Sequence, residues 1–256
     1  MIEQQVTITP LAGIPQVQPG DDLSELLIAA LERNGLAPRD QDVLAVTQKI
    51  VSKAEGRYLD LATVQPSARA HELTEITRKD PRLVEAILTE SAEVLRAKPH
   101  VLIAATHHGL VLANAGIDHS NLDREHAGDH VLLLPQDPDR SAQRIKARID
   151  AHFGANVGVV ITDSTGRAWR LGTVGLAIGA AGVPSLHDRR GELDMAGRPL
   201  EVTEVAFADG IAAAAVLAMG EAAEARPAAL VRGFSWTASA RPAADLVRPK
   251  REDLFR

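Results

Sequence analysis

Three acidic positions carry most of the chemistry this sequence offers. Asn114-Ala-Gly-Ile-Asp118-His-Ser-Asn121 places Asp118 in a polar loop after an apolar run. Thr162-Asp163-Ser164-Thr165-Gly166-Arg167 follows the apolar run Val157–Thr162, and Met219-Gly220-Glu221 closes an Ala-rich stretch. A carboxylate at the C-terminal end of a buried strand is held rigidly and faces the crevice where α/β proteins bind ligands. Such hard oxygen donors suit Mg2+ or Mn2+, which take carboxylates, hydroxyls and phosphate oxygens. Each position also has a structural reading. An Asp before Ser-Thr-Gly commonly closes a turn by accepting nearby backbone N–H groups, and a Glu at a helix end is commonly solvated. Only convergence of the three makes a metal site, and spacing in sequence does not show convergence.

Several cations lie near these segments: Lys53, Arg167, Arg170, Arg189, Arg190 and Arg198. Arg167 and Arg170 follow Asp163 closely enough to set fixed positive charge beside a phosphate, or to sit as a solvated pair. No Gly-x-x-x-x-Gly-Lys-Ser/Thr phosphate loop and no Gly-x-Gly-x-x-Gly dinucleotide fingerprint occurs. Gly172, Gly175, Gly179 and Gly182 are spaced for close backbone approach, which serves either a ligand or tight packing. The histidines form no His-x-x-x-His or His-Glu-x-x-His pattern, and His107 and His108 read as turn residues.

The groups that would position this chemistry belong to an ordinary globular chain. Its 256 residues are 45% hydrophobic and 24% charged, enough for a proper core in one large domain or two small ones. Aromatics are only 3%, so Ala, Val, Leu and Ile must fill that core, and no stacking platform for single-stranded nucleic acid is available. The net charge of −6 with scattered basic residues argues against a nucleic-acid partner. The absence of cysteine excludes disulfides, iron–sulfur clusters, thiolate zinc sites and cysteine nucleophiles. No secretory signal and no apolar run of about 18 residues is read, so no membrane is expected and the cytoplasm is the expected location.

Periodicity predicts helices over Asp22–Leu31, with Asp22 and Glu25 as a capping pair, and over Ser67–Thr77, Pro81–Leu95, Ser141–Phe153 and Ile211–Met219. It predicts strands at Val43–Thr47, Val101–Ala105, Leu110–Ala113, Val131–Leu134, Val157–Thr162 and Leu230–Phe234. The two at 101–113 form a possible hairpin about His107-His108-Gly109, and Val157–Thr162 reads as a central strand. The mixture gives an α/β or α+β class whose order does not alternate cleanly, and Thr237–Pro249 reads as irregular.

The motifs Gly20-Asp21-Asp22-Leu23, Val51-Ser-Lys53-Ala-Glu-Gly-Arg57, Asn114-Ala-Gly-Ile-Asp118-x-Ser120-Asn121, Val157-Gly-Val-Val-Ile-Thr-Asp163, Gly166-Arg167, Glu201-Val-Thr, Ala208-Asp209 and Met219-Gly220-Glu221 occur in this order. Together they resemble the coenzyme F-420-0:L-glutamate ligases, the gamma-glutamyl ligases of deazaflavin biosynthesis, from Gly13-Ile14-Pro15 to about Gly233. The resemblance implies an acid–amino-acid ligase that adds L-glutamate to the F-420-0 precursor, with GTP as cosubstrate, through an acyl phosphate. It implies two divalent ions, Mg2+ or Mn2+, with K+ as a further ion, and an unusual mixed-sheet fold in an intertwined homodimer. By position it maps metal ligands to Asp118, Asp163, Ser164 and Glu221, and catalysis to Asp118, Asp163 and Arg167. Nucleotide contacts map to Ile14, Pro15, Gln16, Val17, Gln48, Lys53, Asn121, Met219, Gly220, Ala222, Ala223, Glu224, Ala225 and Arg226. Ser164 stands where some members carry Thr, Gln48 where others carry Ser, and Ala222-Ala223 where others carry Gly-Gly. One ligase domain over 1–256 is expected, without the nitroreductase-like second domain of some relatives. Two rival classes are a metal-dependent phosphatase with Asp163 as nucleophile, whose Asp-x-Asp pattern fails at Thr165, and a non-catalytic nucleotide-binding protein.

Overall fold

The structure, a computed structural model, describes residues 5–119 and 128–253. In chain order the elements are β1 (Thr7–Pro10), α1 (Leu23–Arg33), β2 (Val43–Thr47), α2 (Gln48–Ala54), β3 (Tyr58–Asp60), α3 (Ala68–Thr77), α4 (Pro81–Thr89), β4 (Ser91–Lys98), β5 (Val101–Thr106) and β6 (Val111–Ala113). They continue with β7 (His130–Leu132), α5 (Pro138–Phe153), β8 (Gly158–Arg167), β9 (Arg170–Ala181), β10 (Leu186–Asp188), β11 (Glu204–Ala206), α6 (Phe207–Met219) and β12 (Ala228–Arg232).

Local chemistry sets the helix ends. Asp22, Asp80 and Asp137 cap α1, α4 and α5 by accepting from Glu25, Arg82 and Arg140 N–H groups, satisfying donors that have no partner within the helix. Pro81 and Pro138 sit in the first turns, where a missing N–H costs nothing. Gly154 ends α5 in the left-handed region at φ 66°, which favours glycine.

The main sheet has the order β1-β12-β2-β8-β9 and is antiparallel except for the β2–β8 pair. Strand alternation then divides the core in two. Leu44, Val46, Val159, Ile161 and Leu230 face α1, α2 and α5, while Val43, Ala45, Val160, Ala229 and Val231 face α6. Burial on both faces explains why these strands read as continuous apolar runs. A third cluster packs α3 and α4 on the three-stranded sheet β4-β5-β6. The architecture is thus mixed α/β with mixed and antiparallel sheets. No helix among the described residues is long and apolar enough to cross a membrane.

One expectation needs correction. The helix expected over Pro81–Leu95 ends at Thr89, and Ser91–Lys98 is strand β4, paired antiparallel with β5. No Gly or Pro marks the change, so apolar spacing alone suits both states and cross-strand pairing decides. The glycine-dense stretch lies in and just after the long strand β9, and of its two expected uses the structure shows tight packing. Its glycines admit helices at contact distance: a Cβ on Gly175 would lie 2.3 Å from the Ala212 carbonyl oxygen of α6, and one on Gly179 would lie 2.4 Å from the Pro138 carbonyl oxygen of α5.

A paired substitution tests this packing. Gly175→Ala forces α6 off the sheet, and its midpoint in chemical denaturation should fall by the equivalent of about 1–3 kcal/mol. Gly210 is exposed on α6 with nothing near its would-be Cβ. Gly210→Ala should therefore gain up to about 1 kcal/mol from helix propensity in the same measurement. Equal effects of the two would contradict the packing account.

Candidate functional site

The parallel pairing of β2 with β8 stops at Thr47–Thr162, while β8 runs on to Arg167. Asp163 is the first residue of β8 beyond its partner, so a cleft opens there. The cleft encloses about 630 Å3 and is bounded by the Ile14–Val17 turn, by Lys49 and Lys53 of α2, by Thr162–Ser164 and by the Met219–Pro227 segment after α6.

Asp118, Asp163, Ser164 and Glu221 all line this cleft, although they are widely separated in sequence. Asp118 is set by a two-way backbone bridge with Leu132, with N–O distances of 3.0 and 2.9 Å. The turn before it is left-handed: Asn114, Ala115 and Gly116 have φ of 53°, 55° and 74°. For the buried Ala115 that conformation costs energy, a feature that clusters at functional sites. Asp118 forms an ion pair with Lys49 at 2.7 Å. Asp163 accepts from its neighbour's Ser164 N–H at 2.9 Å, and the Ser164 hydroxyl donates to Glu221 Oε1 at 2.7 Å.

Burial pushes the Asp163 carboxyl up to about 7, with negative charge on Asp118 and Glu221 adding to the rise. The Ser164 N–H and Lys49 pull the other way and do not win. The Thr162 hydroxyl, also in the cleft wall, is buried without a hydrogen-bond partner among the described residues. A half-buried carboxylate with a raised pKa beside a hydroxyl that has no partner among the described residues is what a cation or polar ligand would satisfy. The all-oxygen donor set fits Mg2+ or Mn2+. As they stand, no three acidic or His side chains among the described residues converge on one point. Asp118 is engaged by Lys49, and Glu221 by Ser164.

Of the expected nucleotide contacts, Ile14, Pro15, Gln16, Val17, Lys53, Met219, Gly220, Ala222, Ala223, Glu224, Ala225 and Arg226 line the same cleft. Gly220 and Ala225 turn the loop with φ of 86° and 53°, and Ala222 N–H donates to the Glu224 carboxylate. Gln48 does not line the cleft. It is the buried first residue of α2 and accepts from the Ser52 hydroxyl of the same helix at 2.9 Å. Arg167 is exposed at the tip of the β8–β9 hairpin, donating to the Gly172 carbonyl, and does not line the cleft either. Asn121 lies outside the described residues. Sequence reasoning passed over Lys49, whose four-residue spacing from Lys53 on one helix was the available signal.

A larger concavity, about 1140 Å3, lies between α1, α2 and α5. Two of its arginines are already paired, Arg144 with Glu55 at 2.9 Å and Arg148 with Glu25. Among the described residues no buried hydroxyl without a partner lines it, so the smaller cleft is the better candidate.

The F420-0:Gamma-glutamyl ligase family matches residues 13–233. A Coenzyme F420:L-glutamate ligase of Methanothermobacter thermautotrophicus is 44% identical over 253 residues, covering 98% of this chain and 99% of its own. Those of Methanopyrus kandleri and Archaeoglobus fulgidus are 44% and 42% identical over 97% and 98% of this chain, and 97% of each of theirs.

The raised Asp163 pKa has a stability consequence. A folded-state value near 7 against an ordinary 3.8 means the folded protein binds this proton more tightly than the unfolded chain. Ionising Asp163 therefore costs stability as pH rises from about 4 to about 7. At about 1.4 kcal/mol per pKa unit, the ceiling on this cost is about 4 kcal/mol. Asp163→Asn should raise the melting temperature of the metal-free protein at pH 8, with the gain vanishing by pH 4. A melting difference that does not change with pH would count against the burial account.

Proposed function

This chain belongs to the F420-0:Gamma-glutamyl ligase family, and on that premise we propose that it joins L-glutamate to the coenzyme F-420-0 precursor, consuming GTP and using divalent metal. The observation that carries the reading is the single cleft that gathers Asp118, Asp163, Ser164 and Glu221 with the Ile14–Val17 turn, Lys53 and the Met219–Arg226 segment. The names of the relatives support glutamate as the amine and the coenzyme as the acid.

A carboxylate does not condense with an amine in water, because its oxygen is a poor leaving group. In the proposed sequence, a carboxylate oxygen of the precursor attacks the γ-phosphorus of GTP, and GDP departs. The glutamate nitrogen then attacks the acyl phosphate carbon, inorganic phosphate leaves with the bonding pair, and the amine gives up a proton. Both steps concentrate negative charge on phosphate oxygens, so positioning and electrostatics carry most of the rate. Asp118, Asp163, Ser164 and Glu221 would hold two Mg2+ or Mn2+ ions. Bound there, the ions supply positive charge to the phosphate oxygens. Lys53 and Arg226 add fixed positive charge from the cleft lining. The Ile14–Val17 turn and the loop after Gly220 offer backbone groups to the nucleotide.

We read the functional unit as a homodimer. Trp169 and Leu171 on the β8–β9 hairpin, Leu193, Met195 and Val202 on the excursion between β10 and β11, and Leu217 on α6 are each more than two-thirds exposed. Exposed large apolar side chains of this kind are what a second subunit would cover, and that supports the reading.

The central experiment is incubation with GTP, Mn2+ or Mg2+, L-glutamate and F-420-0, followed by mass analysis. The expected product is heavier by one glutamyl residue, formed with GTP and much less with ATP. Asp163→Asn should lower turnover by about 10²-fold or more while the fold persists. GTP hydrolysis that ignores glutamate would point instead to a phosphatase. Light scattering should give about twice the 27.3 kDa chain mass, and a monomer at micromolar concentration would refute the dimer.

A further inference from the structure

The path of β8 into the cleft depends on an irregularity in its partner. Ile161 pairs with Gly179, but Thr162 pairs with Ala177, so Ile178 is an extra residue in β9 immediately before the register of Asp163. Such bulges bend a strand, sharpen its twist and re-aim side chains, and they recur beside active sites. This one lets Gly179 and Ile178 both lie toward the α1–α5 side of the sheet, while Ala177 and Gly175 face α6.

β9 is the edge of its sheet, so the outward donors beside the bulge have no strand to meet. Two carboxylates take them. Asp209, in the first turn of α6, accepts from Ala177 N–H at 3.0 Å. Asp139, in the first turn of α5, accepts from Ala180 N–H at 2.8 Å, and also from the Ala243 and Ala244 N–H groups. Ala177 and Ala180 are 2% and 1% exposed, so water does not readily replace these acceptors. The Asp209 carboxyl is itself raised by burial, and the Ala177 N–H offsets part of that.

We propose that Asp209 is a positioning residue for the reaction: by capping Ala177 N–H it holds the β9 bulge in register and so seats α6 against β8 with Glu221 beside Ser164. The geometry links these points along one helix. Asp209 anchors the N-terminal turn of α6 to β9. Gly175 receives Ala212 at the middle of the helix, and a one-residue slip would bring Leu176 there instead, because register shifts exchange the faces of a strand. At the C-terminal end, Glu221 meets the Ser164 hydroxyl at 2.7 Å. Without the cap, the cleft's two acidic walls, β8 and the end of α6, lose their fixed separation. The Ile14–Val17 turn and Lys53 lie on elements this clamp does not touch.

The inference rests on the ligase reading for its kinetic consequence only, and the test separates the two. Asp209→Ala and Asp209→Asn are compared with the unaltered protein by amide hydrogen exchange, Mn2+ titration and steady-state kinetics. Asn keeps an oxygen acceptor for Ala177 N–H, whereas Ala does not. Asp209→Ala should speed exchange in residues 160–165 and 174–179, weaken Mn2+ binding at least tenfold and lower kcat at least tenfold, with the KM for GTP within about twofold. Asp209→Asn should restore each quantity to within about threefold. If Asp209→Ala proves too unstable to assay, Asp209→Ser, with no oxygen long enough to reach, takes its place. A variant that only lowers the melting temperature, with exchange at 160–165 and Mn2+ affinity unchanged, would overturn the proposal. If the unaltered protein does not ligate glutamate, the ligase reading falls, and exchange and Mn2+ titration still decide this one.

Discussion

Everything in the cleft depends on one mismatch of strand length. β2 and β8 pair in parallel as far as Thr47 and Thr162, and β8 then continues for five residues with a partner on one side only. Backbone there remains rigid because β9 holds it, yet the side toward β2 is free. Into that space come the turn before α1, the start of α2 and the segment after α6. A strand that stopped with its neighbour would leave Asp163 on a loop.

The same arrangement places charge where the protein alone serves it poorly. Asp163 is pushed up to about 7 by burial and by neighbouring carboxylates, the Asp118 turn is left-handed through a non-glycine residue, and the Thr162 hydroxyl has no partner among the described residues. Each feature costs folding energy. Native proteins tolerate such costs where a bound ligand returns them or where activity needs a strained site. The surrounding core absorbs them with small side chains: Ala208, Ala212 and Ala215 of α6 against Ala45, Ala177 and Ala229 of the sheet bring backbones close with little aromatic volume.

Most helices were legible because their signals are local. Asp22, Asp80 and Pro81 mark starts through hydrogen-bond supply, and Gly154 marks a stop through its left-handed backbone. Val157–Thr162 was legible as a buried strand from its unbroken apolar run. β4 was not, because its residues alternate only between half-buried and exposed and carry a spacing that a helix also accepts. β9 was hidden by its glycines, whose purpose is set by α5 and α6 rather than by anything within the strand.

For the site, the motifs around Asp118, Asp163, Ser164 and Glu221, read in order, were enough to place the chain in its family. The sequence thereby determined which residue types are available: hard oxygen donors, two lysines one turn apart and a small-residue loop. Tertiary structure alone decided which of these share a space. It brought Lys49 onto Asp118, turned Gln48 into the core against Ser52 and left Arg167 on a hairpin tip. The reason is physical. Side-chain identity and local backbone preference act over a few residues, whereas a cleft is made by strand register and helix seating. Those are set by contacts such as Gly175 with Ala212 and Asp209 with Ala177, which lie more than thirty residues apart in the chain.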